Sequence, residues 1–295
     1  MKKPKSLFVV IAGVMVFPLL VLGNGHGHLG QESPPPLAED GIGVAPARFE
    51  LPMLPGTERT VVVNVIYNAA SSESQPCRLV ASLGDWTILR NGDAEYYKAG
   101  TQSNSASSWL TYSPGEMIAL PGKVHPIRVT ITVPKNAEPG DHLAALFIEA
   151  RPDNLKLAQD RRQVILRFRM AALFYVMVPG LTRKGSLTNL AAQVSEQGII
   201  VVPTFRNEGN SHLRPSESVK IVSGSGVVVA ELPESEATPV LGGAEVTHRV
   251  LIQKSIPPGN YSVRYRVDFK DGNSITEGLS ELVVKDTLPA QKPTG

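Results

Sequence analysis

The chain has 295 residues, enough for about two domains, with 42% hydrophobic residues, 19% charged residues and a net charge of +2. That near-neutral balance excludes nucleic-acid binding by bulk charge. The single cysteine, Cys77, excludes an intramolecular disulfide and any cysteine-built metal centre.

Met1–Lys5 carries three lysines, Ser6–Leu22 is apolar, and Val21 and Gly23 suit the small-residue positions before a cleavage site. Residues 1–23 therefore read as an export signal. No second hydrophobic span follows, so the mature protein is expected to be exported, to the periplasm or cell envelope, with no membrane span once the signal is removed. The apolar run is long enough that a retained N-terminal anchor is the other option. Residues 24–41, dominated by glycine, proline and charge, read as a flexible leader. The leader holds His26 and His28. Cleavage after Gly23 would expose Asn24-Gly25-His26, whose amine, backbone nitrogens and imidazole can chelate Cu(II) or Ni(II) in a square plane. No metal site outside the leader and no cofactor is expected.

From Ile42 the pattern is one of short β runs separated by turn residues. Ile42–Leu51 is the first, read as one strand. Arg59–Tyr67, Arg78–Leu83, Trp109–Tyr112, Val124–Val133 and His142–Ala150 follow, with Asn91–Asp93, Tyr96 and Tyr97 placed in a polar loop. Then comes Arg161–Gly180, the longest β-rich stretch. Val164, Leu166, Phe168, Met170, Ala172, Phe174, Val176 and Val178 fall on one side at period two. Ile165, Arg167, Arg169, Ala171, Leu173, Tyr175 and Met177 fall on the other, a face that begins basic and turns apolar. Pro179-Gly180 stops it. Some seven strands over roughly 140 residues suggest an immunoglobulin-like sandwich over 42–180. Leu187–Val194, Gly198–Asn207, Val219–Ser223, Val227–Leu232, Val246–Ile252, Tyr261–Phe269 and Leu279–Val284 suggest a second over 181–285, and 286–295 read as a disordered tail. The fold class is all-β: two tandem immunoglobulin-like β-sandwiches after a signal segment.

No metalloprotease HExxH pair, nucleophile elbow, phosphate loop or dinucleotide fingerprint occurs. Glu234 and Glu236 read as a solvated polar loop, because acid–base work needs a shielded site that splits two pKa values. An enzyme is not expected. Trp86 and Trp109 read as sandwich core.

Several of these segments resemble a known pattern. Trp109-Leu110, Pro114, Ile118, Pro121-Gly122, Ile127-Arg128-Val129, Gly140, Leu143–Ile148 and Leu173-Phe174-Tyr175 are similar to the first domain of the periplasmic pilus-assembly (PapD-like) chaperones. Val44–Phe49 resembles that family's first strand, and Arg48 matches its arginine near the cleft between domains. The family's lysine on the long strand, which holds a subunit's terminal carboxylate, is Ala172 here.

The resemblance implies a non-enzymatic chaperone that binds secreted pilin-like or other envelope subunits by β-strand addition along 163–176. Ile165, Leu173 and Tyr175 would then fill a subunit's groove, and Arg48 with Arg167 or Arg169 would pair with a partner carboxylate. The alternative is a structural or adhesive envelope protein of tandem sandwiches with no chaperone activity.

Overall fold

The computed structural model describes residues 41–68, 75–151, 169–272 and 275–285. His26, His28, Ile165 and Arg167 lie outside the described residues. The first ten strands are β1 (Gly41–Ala45), β2 (Arg48–Pro52), β3 (Glu58–Asn68), β4 (Cys77–Ile88), β5 (Ala94–Lys98), β6 (Leu110–Ser113), β7 (Glu116–Ala119), β8 (Val124–Thr132), β9 (Gly140–Ala150) and β10 (Arg169–Val178). They form two facing sheets. One has the order β1-β3-β8-β6; the other has the order β2-β10-β9-β4-β5, with β7 also paired to β4.

Alternation explains the packing. Val63, Val65, Ile127, Val129 and Ile131 point inward from the first sheet, each 0% exposed. Ala172, Phe174, Val176 and Val178 meet them from β10. The Phe174 ring stacks on Phe49 of β2, with centroids 4.8 Å apart and planes 7° from parallel. Burying a phenylalanine side chain in this way stabilises the fold by about 1.5–3 kcal/mol.

The segment read as one strand, Ile42–Leu51, is two. β1 pairs antiparallel with β3, while β2 crosses to the other sheet and pairs parallel with β10. Between them lies the cis Ala45–Pro46 peptide. Inward-facing positions change parity across this break, from Ile42 and Val44 to Phe49, Leu51 and Met53. Tyr96 and Tyr97, read as loop residues, stand on β5, which pairs with β4 through Trp86↔Tyr96.

The remaining strands are β11 (Gly185–Ser195), β12 (Gly198–Asn207), β13 (Ser216–Ser223), β14 (Val228–Glu236), β15 (Glu245–Thr247), β16 (Val250–Ile252), β17 (Gly259–Asp268) and β18 (Thr276–Val284). One sheet is built on β12, flanked by β11 on one side and β15 and β16 on the other; the facing sheet has the order β14-β13-β17-β18. Glu234 and Glu236, expected in a loop, lie on β14. The second core gathers Ile199, Val201, Phe205, Val219, Ile221, Val263 and Tyr265. It also admits one carboxylate. Glu217, 2% exposed, accepts from the Tyr265 hydroxyl and from His248 Nε2 at 2.8 Å, and Thr238 completes the chain at His248 Nδ1, 2.7 Å. Such a group is tolerated inside because its acceptors are satisfied. The fold is therefore two tandem immunoglobulin-like sandwiches. Among the described residues, no helix is long and apolar enough to cross a membrane.

Gly84 on β4 is fixed by its surroundings. A Cβ there would run into the Phe147 ring and lie 2.7 Å from the Tyr97 carbonyl oxygen. Gly84→Ala is expected to lower the unfolding free energy by about 1–3 kcal/mol through overpacking. Gly115→Ala, whose Cβ would meet only Tyr112 at 3.8 Å, should stay within about 0.5 kcal/mol of the parent. Urea unfolding followed by tryptophan fluorescence separates the two.

Candidate functional site: the β10 edge and the junction beside it

The geometry of β10 follows from its neighbours. Along its whole length it pairs antiparallel with β9, from Arg169↔Glu149 to Val178↔Gly140. On the other edge β2 covers only Leu173 to Met177. The Leu173 N–H donates to Ala47 O at 2.9 Å, and Met177 O accepts from Met53 N at 3.0 Å. Backbone groups alternate direction along a strand. The N–H and C=O of Arg169 and Ala171 therefore point to the same edge as those of Leu173. Among the described residues no strand pairs with that part of the edge.

The expectation that Leu173 and Tyr175 stand on this rim as groove fillers is corrected by their surroundings. Both are paired on both edges. Leu173 is half-buried, and Tyr175 is 2% exposed. They lie on the outer face of the sheet, in a cluster with Trp86, Leu143, Ala145, Phe147, Met177 and, from the second sandwich, Leu241. The apolar half of the odd-numbered face is thus interior, covered by the other sandwich. Tyr175 meets Trp86 edge-on at 5.0 Å and His212 at 4.4 Å. Burial is the largest influence on its phenol and outweighs the positive charge of Arg214, so its pKa is pushed up to about 12.

Around Tyr175 the two sandwiches share an ionic cluster. His212, in the turn before β13, donates from its backbone N–H and from Nδ1 to Asp141 Oδ2, both at 2.6 Å. The two side chains are 4% and 3% exposed. Its Nε2 is 3.5 Å from Glu50 Oε1 on β2. Arg214 Nε donates to the same Glu50 oxygen at 2.7 Å, and its NH1 to Glu236 at 3.1 Å. Asn210 ties the linker into this junction, donating to the Pro139 and Gly180 carbonyls and accepting from Thr182 N. A second contact joins Arg90, at the β4–β5 turn, to Glu245 at 2.6 Å.

Arg48 sits at the rim of this cluster. Its Nε is 3.3 Å from Glu50 and its NH1 3.9 Å from Glu236. The resemblance pairs Arg48 with Arg167 or Arg169; Arg167 lies outside the described residues, and the structure does not bring Arg48 and Arg169 together. Arg48 is opposite Leu173, and Arg169 lies four positions up the strand, roughly 13 Å away along a strand. Ala172 is 0% exposed and faces the first core. Arg169 instead lays its guanidinium over the Phe147 ring, 3.5 Å from the centroid. Sequence reasoning missed Glu50, Asp141, His212, Arg214 and Glu236, which come from distant strands and carry no local pattern. Among the described residues no group of three or more His, Cys, Asp or Glu side chains is arranged to hold a metal ion.

No protein-family model matches the sequence, and no curated protein is significantly similar to it. Solved structures with a similar fold include many fimbrial and pilus chaperones of the PapD-like kind. One is a chain of a chaperone–tip adhesin complex of CFA/I fimbriae biogenesis: 12% identity, 82% of this chain and 98% of that one, TM-score 0.42. Another is the CupB2 chaperone of Pseudomonas aeruginosa: 13% identity, 80% and 97% coverage, TM-score 0.39. A third is the CsuC–CsuE chaperone–tip subunit complex of Acinetobacter baumannii: 16% identity, 82% and 97% coverage, TM-score 0.38. At these identities the likeness is one of fold.

Removing one partner of a buried pair leaves the other uncompensated. Asp141→Ala strands the buried His212 N–H donors and is expected to cost about 1–3 kcal/mol, whereas Glu236→Gln at the exposed rim should cost less than about 1 kcal/mol; differential unfolding of the variants checks both. Burial alone would raise the Glu50 carboxyl. The Arg214 hydrogen bond and the charges of Arg214, His212 and Arg48 outweigh it, and the net effect is a lowering from 4.5. A carboxyl lowered on folding contributes stability above its unfolded pKa and loses it as pH falls through the folded value. Glu50→Gln should therefore be less stable than the parent at neutral pH and show a smaller further loss on acidification.

Proposed function

We propose that this chain is an exported, chaperone-like protein that receives an extended segment of another envelope polypeptide by strand addition on the β10 edge. The observation that supports the reading is the handover at Leu173: β2 takes the edge from there to Met177, and no described strand takes it from Arg169 to Ala172. An incoming segment would meet the N–H and C=O groups of Arg169 and Ala171, and backbone bonding would supply affinity that does not depend on one partner sequence. The half-exposed Met170 and the buried Ala172 occupy the alternate positions, facing the sandwich seam. Secreted pilin-like subunits are the partners this mode would serve. Residues 1–23 would act as the signal that delivers the chain to them, and 42–180 and 181–285 as its two domains.

A second reading, a structural or adhesive envelope module, is favoured by one feature. The guanidinium of Arg48 is already faced by Glu50 and Glu236, and Ala172 offers no second cation for a partner's carboxylate.

Proline tells the two apart. At Ala171 it removes an N–H that points to the open edge and leaves the bonds to β9 in place, since proline is accepted on strand edges. Ala171→Pro is expected to abolish complexes with co-expressed envelope subunits while the melting temperature stays within a few degrees. In the parent complex, hydrogen exchange at the Arg169 and Ala171 amides should slow. Retention of the complexes by Ala171→Pro, or unchanged exchange at those amides on binding, would overturn strand addition. Stable envelope association with no subunit complex would favour the second reading.

A further inference from the structure

The outer face of the sheet β14-β13-β17-β18 carries a concentration of positive charge. On β17, Val263, Tyr265 and Val267 enter the second core, so Arg264 and Arg266 point away from it. Register sets Lys220 of β13 directly opposite Arg264, and Ser218 opposite Arg266. Side chains so opposed stand about 5 Å apart at Cβ, and like charges there weaken a sheet. On its other side Arg264 faces Leu279 of β18, which is 72% exposed. The two cross-strand neighbours of this guanidinium are therefore a cation and a hydrocarbon.

Around Arg264 the surface sinks into a trough of about 510 Å³, whose lining includes Ser218, Lys220, Arg266, Glu277 and Leu279. It holds three basic groups and one acidic group. Glu277 lies 3.3 Å from Arg266 Nε, but both side chains are more than half exposed, and such a pair contributes little. Glu231, opposite Lys220 on β14, and Glu281, opposite Ser262, do not line the trough.

An anion entering here meets side chains alone. β17 is paired on both edges, with β13 and with β18, so its N–H groups are committed to the ladders and cannot converge on a phosphate as in an anion nest. Guanidinium forks answer planar carboxylates two-pronged. Arg264 and Arg266 are two residues apart on one strand, roughly 6.6 Å, which is also the spacing of alternate residues in any extended chain. Two carboxylates at alternate positions of a segment laid along β17 therefore meet both forks in register. Lys220 strengthens the field at the first, and Leu279 gives that end an apolar wall.

We infer that this trough docks an extended acidic segment of a partner protein, with Glu or Asp at alternate positions on Arg264 and Arg266 and the methylene stem of the first against Leu279. The site is separate from the β10 edge and does not depend on strand addition there.

The test uses the full mature chain and fluorescent heptapeptides of serine and threonine, N-acetylated and C-amidated so that no terminal carboxylate is present. Two Glu residues stand at alternate positions in one peptide and side by side in another, and a third carries Gln at the alternate positions. Binding is read by anisotropy. The alternate-Glu peptide is expected to bind about tenfold more tightly than its Gln counterpart, the size of two exposed ion pairs. It should also bind more tightly than the side-by-side isomer, whose carboxylates point to opposite faces. Arg264→Gln and Arg266→Gln should each remove the preference, and Ala171→Pro should leave it. Arg264→Gln also relieves the contact with Lys220, so its melting temperature is expected to equal or exceed the parent's, which an arginine kept for stability would not show. Equal binding of the two Glu isomers, a preference that survives Arg264→Gln, or displacement by an equal concentration of inorganic phosphate overturns the inference. Loss of binding in Ala171→Pro would put the peptide on the β10 edge, which overturns the inference and favours strand addition.

Discussion

The contact on which the arrangement depends is the one between Asp141 and His212. A carboxylate with a 3% exposed side chain is costly unless its charge is answered within hydrogen-bonding distance, and His212 answers it twice, from the backbone and from the ring, at 2.6 Å each. Because the two residues belong to different sandwiches, the hydrogen bonds that replace water at Asp141 Oδ2 exist only with both sandwiches in place. The pair sets the turn before β13 against the start of β9. From there Arg214 reaches Glu50 on β2, and Leu241 closes over Trp86 and Tyr175. The second sandwich thus supplies the covering for the outer face of β10, and that strand becomes interior on both faces over the half nearest the junction.

This coupling explains which parts of the structure could be read from the residues in order. From Ala172 to Val178 the even-numbered face of β10 is core, because its alternation needs only a facing sheet, and the strands after the Pro-Gly turns were legible for the same reason. The odd-numbered face was legible only as a change from basic to apolar. Its meaning, a face buried by another sandwich, depends on residues far away in the chain. The split of Ile42–Leu51 left a trace that periodicity could have caught, since apolar positions move from even numbers at Ile42 and Val44 to odd at Phe49 and Leu51. Pro46 was a second trace, since a proline inside a β run marks an edge or a break, and reading the run as one strand passed over it. Strand β5 was hidden by polarity. Tyr96 and Tyr97 alternate like any strand pair, but Glu95 and Lys98 beside them made the segment resemble a loop. Of the expected binding residues, Arg48 and Arg169 lie on the elements that the periodicity indicated, and their separation along β10 could not be known before the parallel register of β2 was fixed.

The two arginines illustrate how similar side chains acquire different chemistry from their neighbours. Arg48 is at the rim of a cluster holding Glu50, Glu236 and Arg214, where opposite charges already lie within 4 Å. Added anions there would compete with carboxylates that are part of the fold. Arg169 rests on an aromatic ring that attracts it without neutralising it. An aromatic support holds a cation in place and leaves its hydrogen-bonding capacity intact.

The crossing of β2 from one sheet to the other also acts as an end stop. Ala47 O has captured the Leu173 N–H, so a guest strand advancing along β10 toward the junction would find its next bonding position already taken by the host's own chain. Sliding by two residues in that direction is closed off, and alignment is counted from a fixed terminus, as lengths are counted from the zero of a ruler. A guest too long for the ledge would have to overhang at the far end, away from the second sandwich.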